Sequence, residues 1–162
     1  MAHIEQSLAT LRISGDDLLP DEITSLLGCA PTESHIKGEV IRGKKTGREY
    51  TKKTGMWRLT AADKKPENLD EQIVELLNKL TQDLTVWSAL KQRFEMDFFC
   101  GLFMENTNEG GSLSAESLLA LGARGIELSL DIYCPIPEIT ENDACPCESG
   151  KTYGECCRPK KP

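Results

Sequence analysis

Four of the seven cysteines in this 162-residue chain crowd into one short stretch, Cys145-Pro146-Cys147-Glu148-Ser149-Gly150-Lys151-Thr152-Tyr153-Gly154-Glu155-Cys156-Cys157. Nothing else in the sequence limits its folding so tightly. A segment this short cannot build a hydrophobic core, so it needs a staple. An odd cysteine count, behind a start (Met1 to Gln6) with no cationic-then-apolar export pattern, argues against a secreted disulfide scaffold. In a reducing compartment a tight thiol cluster is a metal site. Two thiols flanking Pro146, an eight-residue return and two adjacent thiols suit Zn²⁺, which takes four thiolates tetrahedrally at about 2.3 Å. Pro146 stiffens the first pair so that both sulfurs can face one point. With Cys145, Cys147, Cys156 and Cys157 all bound, no position stays open for water or substrate. The ion is therefore expected to be structural, and its binding to supply the folding free energy of the tail.

These residues resemble the SEC-C motif, best known as the zinc-binding tail of the preprotein-translocase ATPase SecA. Its pattern is Cys-Pro-Cys, a glycine, Ser-Gly-Lys, a lysine or similar, an aromatic, then Cys followed by Cys or His. Cys145, Pro146, Cys147, Ser149, Gly150, Lys151, Tyr153, Cys156 and Cys157 fall on it. Glu148 stands where glycine is usual, and Thr152 and Gly154 where lysines are common; these changes are expected to alter surface charge rather than metal binding. The resemblance, placed at residues 145–158, implies one bound zinc. By analogy with SecA, whose tail is associated with the export chaperone SecB and the ribosome, it also implies docking to a protein or ribonucleoprotein. Lys151, Tyr153, Arg158, Lys160 and Lys161 are the expected contacts.

The chain as a whole is acidic: 19 Lys+Arg against 26 Asp+Glu give a net charge of −7. That excludes a whole-protein nucleic-acid binder, and the apolar runs are too short to span a membrane. The stretch Lys37 to Lys53 departs from this, with a net +5, and is expected to be a solvated hairpin that could dock something anionic. Its arms would be Val40-Ile41-Arg42 and Arg48-Glu49-Tyr50.

Alternation predicts strands over Leu8–Ser14, Met56–Ala61, Phe94–Leu102 and Ile126–Ile132. Pro20, Asp21 and Glu22 open a short helix that Gly28 closes. Leu69, Ile73, Leu76, Leu77 and Leu80 recur at helical spacing, a new N-cap region at Thr81-Gln82-Asp83 starts another helix with Trp87 and Leu90, and Ser114 caps a fourth that Gly122 closes. Leu19 to Gly28 aligns with Leu113 to Gly122, which suggests two strand-helix-strand halves. The expected fold is α+β: a four-stranded, mostly antiparallel sheet with helices on one face over residues 1–134, an acidic, proline-containing linker over 135–144, and the zinc tail.

Ile13-Ser14-Gly15-Asp16-Asp17, Pro20-Asp21-Glu22-Ile23-Thr24, Leu27-Gly28, Pro31-Thr32, Gly55-Met56-Trp57 and Asp131-Ile132-Tyr133 together resemble the bacterial domain-of-unknown-function family DUF4279. That resemblance implies a fold and a bacterial origin, and for parts of the family a toxin-immunity context, but no established chemistry.

Other constellations fall away. Gly150-Lys151-Thr152 lacks the leading glycine of a phosphate loop, because Cys145 occupies it. The polar loop with Glu105, Thr107 and Glu109 lacks the first aspartate of a calcium loop. His3 and His35 are expected to face solvent, Asp16 and Asp17 to cap a turn, and Cys29, Cys100 and Cys134 to be core or loop thiols. Trp57, Trp87, Phe98 and Phe99 are expected in the core. The whole predicts a non-enzymatic cytoplasmic adaptor with a zinc-clipped docking tail. The alternative is an immunity-type inhibitor of a toxin in which the zinc tail is purely structural.

Overall fold

A computed structural model describes residues 3–43, 47–135 and 140–157. The order of elements is β1 (Gln6–Gly15), α1 (Pro20–Leu27), β2 (Glu33–His35), β3 (Val40–Arg42), β4 (Glu49–Thr51), β5 (Gly55–Thr60), α2 (Leu69–Asn78), α3 (Leu84–Arg93), β6 (Glu95–Phe103), α4 (Ala115–Ala123) and β7 (Glu127–Tyr133). Strands β2-β5-β1-β6-β7 form one mixed sheet, and β3-β4 a separate hairpin. The class is α+β as expected, but the sheet has five strands rather than four. The additional strand, β2, runs antiparallel to β5, pairing Glu33 with Arg58 and His35 with Met56. Only His35 of its three residues is buried, so no alternation marks it in the sequence.

One sheet face carries the core. Ala9, Leu11, Ile13, Trp57, Leu59, Met96, Phe98, Cys100 and Leu102 alternate into it and are buried under the helices. Trp57 donates its indole N–H to Thr24 Oγ1 at 3.2 Å, tying α1 to β5. Trp87 does the same to the Thr81 carbonyl at 2.9 Å. The other face is open. Phe99 belongs to it rather than to the core, lying under the Arg12 guanidinium at 4.2 Å while Arg12 makes a two-pronged ion pair with Asp97.

Caps explain the helix limits. Pro20 occupies the first turn of α1 and Gly28 closes it at φ 77°. Asn68, Asp83 and Ser114 accept N–H bonds at the starts of α2, α3 and α4. Gly122 does not close α4, which continues to Ala123; the left-handed residue there is Gly125, at φ 66°. The paired segments build units that differ. Strands β1 and β2 flank α1 and run parallel with β5 between them, whereas β6 and β7 flank α4 as direct parallel neighbours.

His35 is not solvent-facing. It is buried on β2, its Nδ1 has no hydrogen-bond partner, and its pKa is lowered, first by burial and then by the charge of Lys52. A lowered folded pKa means the unfolded chain binds the proton more readily, so the stabilisation is complete above about pH 6.5 and is lost as pH falls below it. Acidification through that window is expected to lower the thermal midpoint. His35→Gln should flatten that dependence, and a profile unchanged by the substitution would show that His35 does not carry it.

Candidate metal centre

The tail folds as a clip. Ala144 bridges Thr152 in antiparallel fashion, Cys145 N–H donates to the Lys151 carbonyl at 2.9 Å, Tyr153 N–H to Asp143 at 2.8 Å and Gly154 N–H to Glu141 at 2.9 Å. Thr140 and Asp143 close a turn of their own ahead of it. Residues 140–144, expected as linker, are thus hydrogen-bonded into the clip; Ile136 to Ile139 lie outside the described residues.

At the tip, Glu148 N–H donates to the Cys145 carbonyl at 3.1 Å, so Cys145-Pro146-Cys147-Glu148 is a β-turn with proline in its favoured second position. Glu148 then adopts φ 58° and Gly150 φ 75°, and these two left-handed residues turn the chain back. A final tight turn, with Cys156 N–H on the Tyr153 carbonyl at 3.3 Å, swings the last two cysteines inward.

The four sulfurs of Cys145, Cys147, Cys156 and Cys157 all lie within 4.8 Å of one another. Cys145–Cys147 is 3.2 Å, Cys147–Cys156 3.4 Å and Cys156–Cys157 3.8 Å. The edge of a tetrahedron with metal–sulfur bonds of ~2.3 Å is about 3.8 Å, so the donor set is the size a zinc-like dication requires. Cys145 is buried and the other three are exposed.

Their electrostatics point the same way. The Ser149 hydroxyl, followed by the neighbouring thiols, pulls the Cys147 thiol down to about 6. Hydrogen bonds with Cys145, Cys147 and Cys156 push Cys157 up to about 12. One thiolate is therefore favoured at neutral pH while further ionisation of Cys157 is opposed. A bound dication reverses that opposition by replacing the shared protons.

Glu148 is the residue whose role the sequence misassigned. Its departure from the motif's glycine bears on the backbone as well as on surface charge, because the position is left-handed, which costs a side-chain-bearing residue about 1 kcal/mol. Glu148→Gly is therefore expected to tighten metal binding roughly fivefold, measured by competition with a chelator. Unchanged or weaker affinity would show that the turn is not strained. The signal was present in the sequence: a motif glycine is a conformational requirement before it is anything else.

Of the expected contact residues, Lys151 is exposed and Tyr153 half-buried, while Arg158, Lys160 and Lys161 lie outside the described residues. In the basic stretch, β3 and β4 pair as a hairpin with Ile41 opposite Tyr50, Lys37 is held by Asp16 and Lys52 stacks over Tyr50. Lys44 and Lys45 lie outside the described residues. The Glu109 carboxylate is occupied by the N–H groups of Glu105 and Asn106, which suits a plain polar loop. Burial pushes Cys100 up to about 12, Cys29 is half-buried and Cys134 exposed. Among the described residues no helix is long and apolar enough to cross a membrane.

Comparison with known families gives two matches. The model described as domain of unknown function DUF4279 covers residues 4–135, and the SEC-C motif covers residues 142–159. No curated protein and no solved structure matches the chain.

Proposed function

The chain belongs to the DUF4279 family of domains of unknown function, and we propose that it is a non-enzymatic adaptor whose C-terminal tail, clipped by one structural Zn²⁺, docks a protein or ribonucleoprotein. The observation that carries this reading is the closed donor set: four thiol sulfurs within 4.8 Å, in a SEC-C motif, on a segment with no core of its own. When bound, the metal supplies the tail's fold and neutralises its thiolates. The chain's own residues supply the surface. Lys151 is exposed beside the half-buried Tyr153. Arg158, Lys160 and Lys161 follow in sequence, making a locally cationic end on a chain of net charge −7. Such an end suits an acidic protein face or the phosphates of a ribonucleoprotein.

A catalytic role for the core thiol is disfavoured, since a thiol as buried as Cys100 carries almost no thiolate at neutral pH. The test is a lysate pull-down comparing the intact protein with a Cys156→Ser/Cys157→Ser variant, with zinc content measured on both baits. One zinc per intact chain, and partners lost by the variant, is the expected result. The same partners on both baits would move docking to the sheet domain, and an intact chain without zinc would remove the metal from the account.

A further inference from the structure

Strand β7 is the outer edge of the five-stranded sheet and, among the described residues, pairs only with β6. Met104 N–H donates to the Tyr133 carbonyl at 2.9 Å, and Tyr133 lies opposite Phe103 in the parallel ladder. Backbone groups alternate along a strand, so those of Glu127, Ser129, Asp131 and Tyr133 serve β6, and those of Leu128, Leu130 and Ile132 point away from the sheet. The side chains alternate too. Leu128, Leu130 and Ile132 stand on the helix side, and Leu130 and Ile132 are 49% and 57% exposed. The strand contains none of the lysines or prolines that commonly protect an edge from pairing.

We propose that β7 is a dimerisation edge: two copies of this chain join through antiparallel β7–β7 pairing about a two-fold axis at Leu130, forming one continuous ten-stranded sheet. The strand Glu127-Leu128-Ser129-Leu130-Asp131-Ile132-Tyr133 is complementary to itself in that register. Leu130 meets Leu130 of the second copy, Leu128 meets Ile132, Ser129 meets Asp131 and Glu127 meets Tyr133. Apolar side chains face apolar ones, and each carboxylate faces a hydroxyl-bearing residue. Sliding the axis to Ser129 would set Glu127 against Asp131, and sliding it to Asp131 would set two aspartates face to face, both penalised by like-charge repulsion. The register at Leu130 also brings the outward backbone groups of Leu128, Leu130 and Ile132 opposite one another, so the ladder closes as reciprocal hydrogen-bonded pairs.

The symmetry suits the helices. A two-fold axis normal to the sheet keeps both helix layers on one side, where α4 packs against β7 and leaves Leu118 and Leu119 50% and 72% exposed. The contact is isologous and closes at two copies, which distinguishes it from open-ended strand addition.

Sedimentation of the full, zinc-loaded chain across a concentration series tests this. The wild type is expected to approach twice the 17.9 kDa chain mass. Leu130→Lys and Leu130→Asp should each fall to the single-chain mass. An equimolar mixture of the two should return to the doubled mass, because opposite charges then meet across the axis. Val74→Lys, at an exposed site on α2, should remain dimeric. A wild type that stays monomeric throughout overturns the proposal. So does a Leu130→Lys variant as dimeric as the wild type, or a mixture that fails to assemble although both variants show a cooperative melt. Loss of the dimer in Cys156→Ser/Cys157→Ser with retention in Leu130→Lys would place the contact in the tail and overturn it equally.

Discussion

Stripping the metal with a chelator is expected to unfold residues 140–157 and to leave the melt of the sheet domain in place. The two parts have different sources of stability. The sheet domain has a hydrophobic cluster running from Ile4 to Ile126, and no described residue of the tail belongs to it. Among the described residues of the tail the only buried apolar side chain is that of Cys145, itself one of the four candidate metal-binding thiols. A handful of backbone bonds cannot offset the entropy of ordering that many residues, at roughly 1–2 kcal/mol each. Coordination tips the balance, since structural zinc binding to small domains is favourable by on the order of 10 kcal/mol net of the folding it drives. Amide hydrogen exchange read by mass spectrometry separates the parts. Protection at residues 140–157 should vanish with chelator and return with zinc, while the thermal midpoint of the remainder holds steady. A midpoint that falls by about 10 °C on chelation would mean the tail braces the sheet domain, since that corresponds to a few kcal/mol in a chain of this size.

How much of this could be read in the amino-acid sequence depended on how far apart the deciding residues lie. Ala9, Leu11 and Ile13 declare β1 by themselves, and Asp83, Ser114 and Gly28 mark helix limits within a few residues of the bonds they make. The cysteine cluster that could hold a metal was legible for the same reason, with all four thiols inside one short stretch. Strand β2 was not. Three residues cannot display alternation, and what holds them is β5, more than twenty residues downstream. His35 owes its burial to that pairing, so the sequence around it suggested only a loop. Phe99 was misplaced because it alternates beside Phe98, and only the sheet's one-sided helix layer decides which of the two is inside. Glu148 is the converse case, a local conformational demand that looked like a change of charge.

Gln72→Ala is expected to be as damaging as truncating a core leucine of α2, costing about 3 kcal/mol. Helical spacing puts residue 72 in the apolar stripe with Leu69, Ile73 and Leu76, where a polar residue looks misplaced. The structure shows what it does. Fully buried, its Nε2 donates to the Ala62 carbonyl at 2.7 Å and the Ser7 carbonyl at 3.1 Å, and its Oε1 accepts the Ser7 hydroxyl at 2.8 Å. One side chain thus joins the start of β1, the segment after β5 and α2. The Ser7 carbonyl keeps a second partner in Lys64 N–H. Truncation leaves the Ala62 carbonyl and the Ser7 hydroxyl short of partners beside a new cavity, and each such group costs roughly 1–3 kcal/mol. Gln72→Leu restores volume but not the bonds, so it should recover only part of the loss. Adding Ser7→Ala to Gln72→Leu should then cost less than the sum of the two singles, because removing both partners of a buried hydrogen bond spares the penalty of an orphan. Denaturant melts of Gln72→Ala, Gln72→Leu, Ser7→Ala and the Gln72→Leu/Ser7→Ala double variant, with Val74→Ala as an exposed control on the same helix, measure this directly. A Gln72→Ala midpoint indistinguishable from the Val74→Ala control would show that water replaces the side chain, and that the joint between β1 and α2 rests on packing alone.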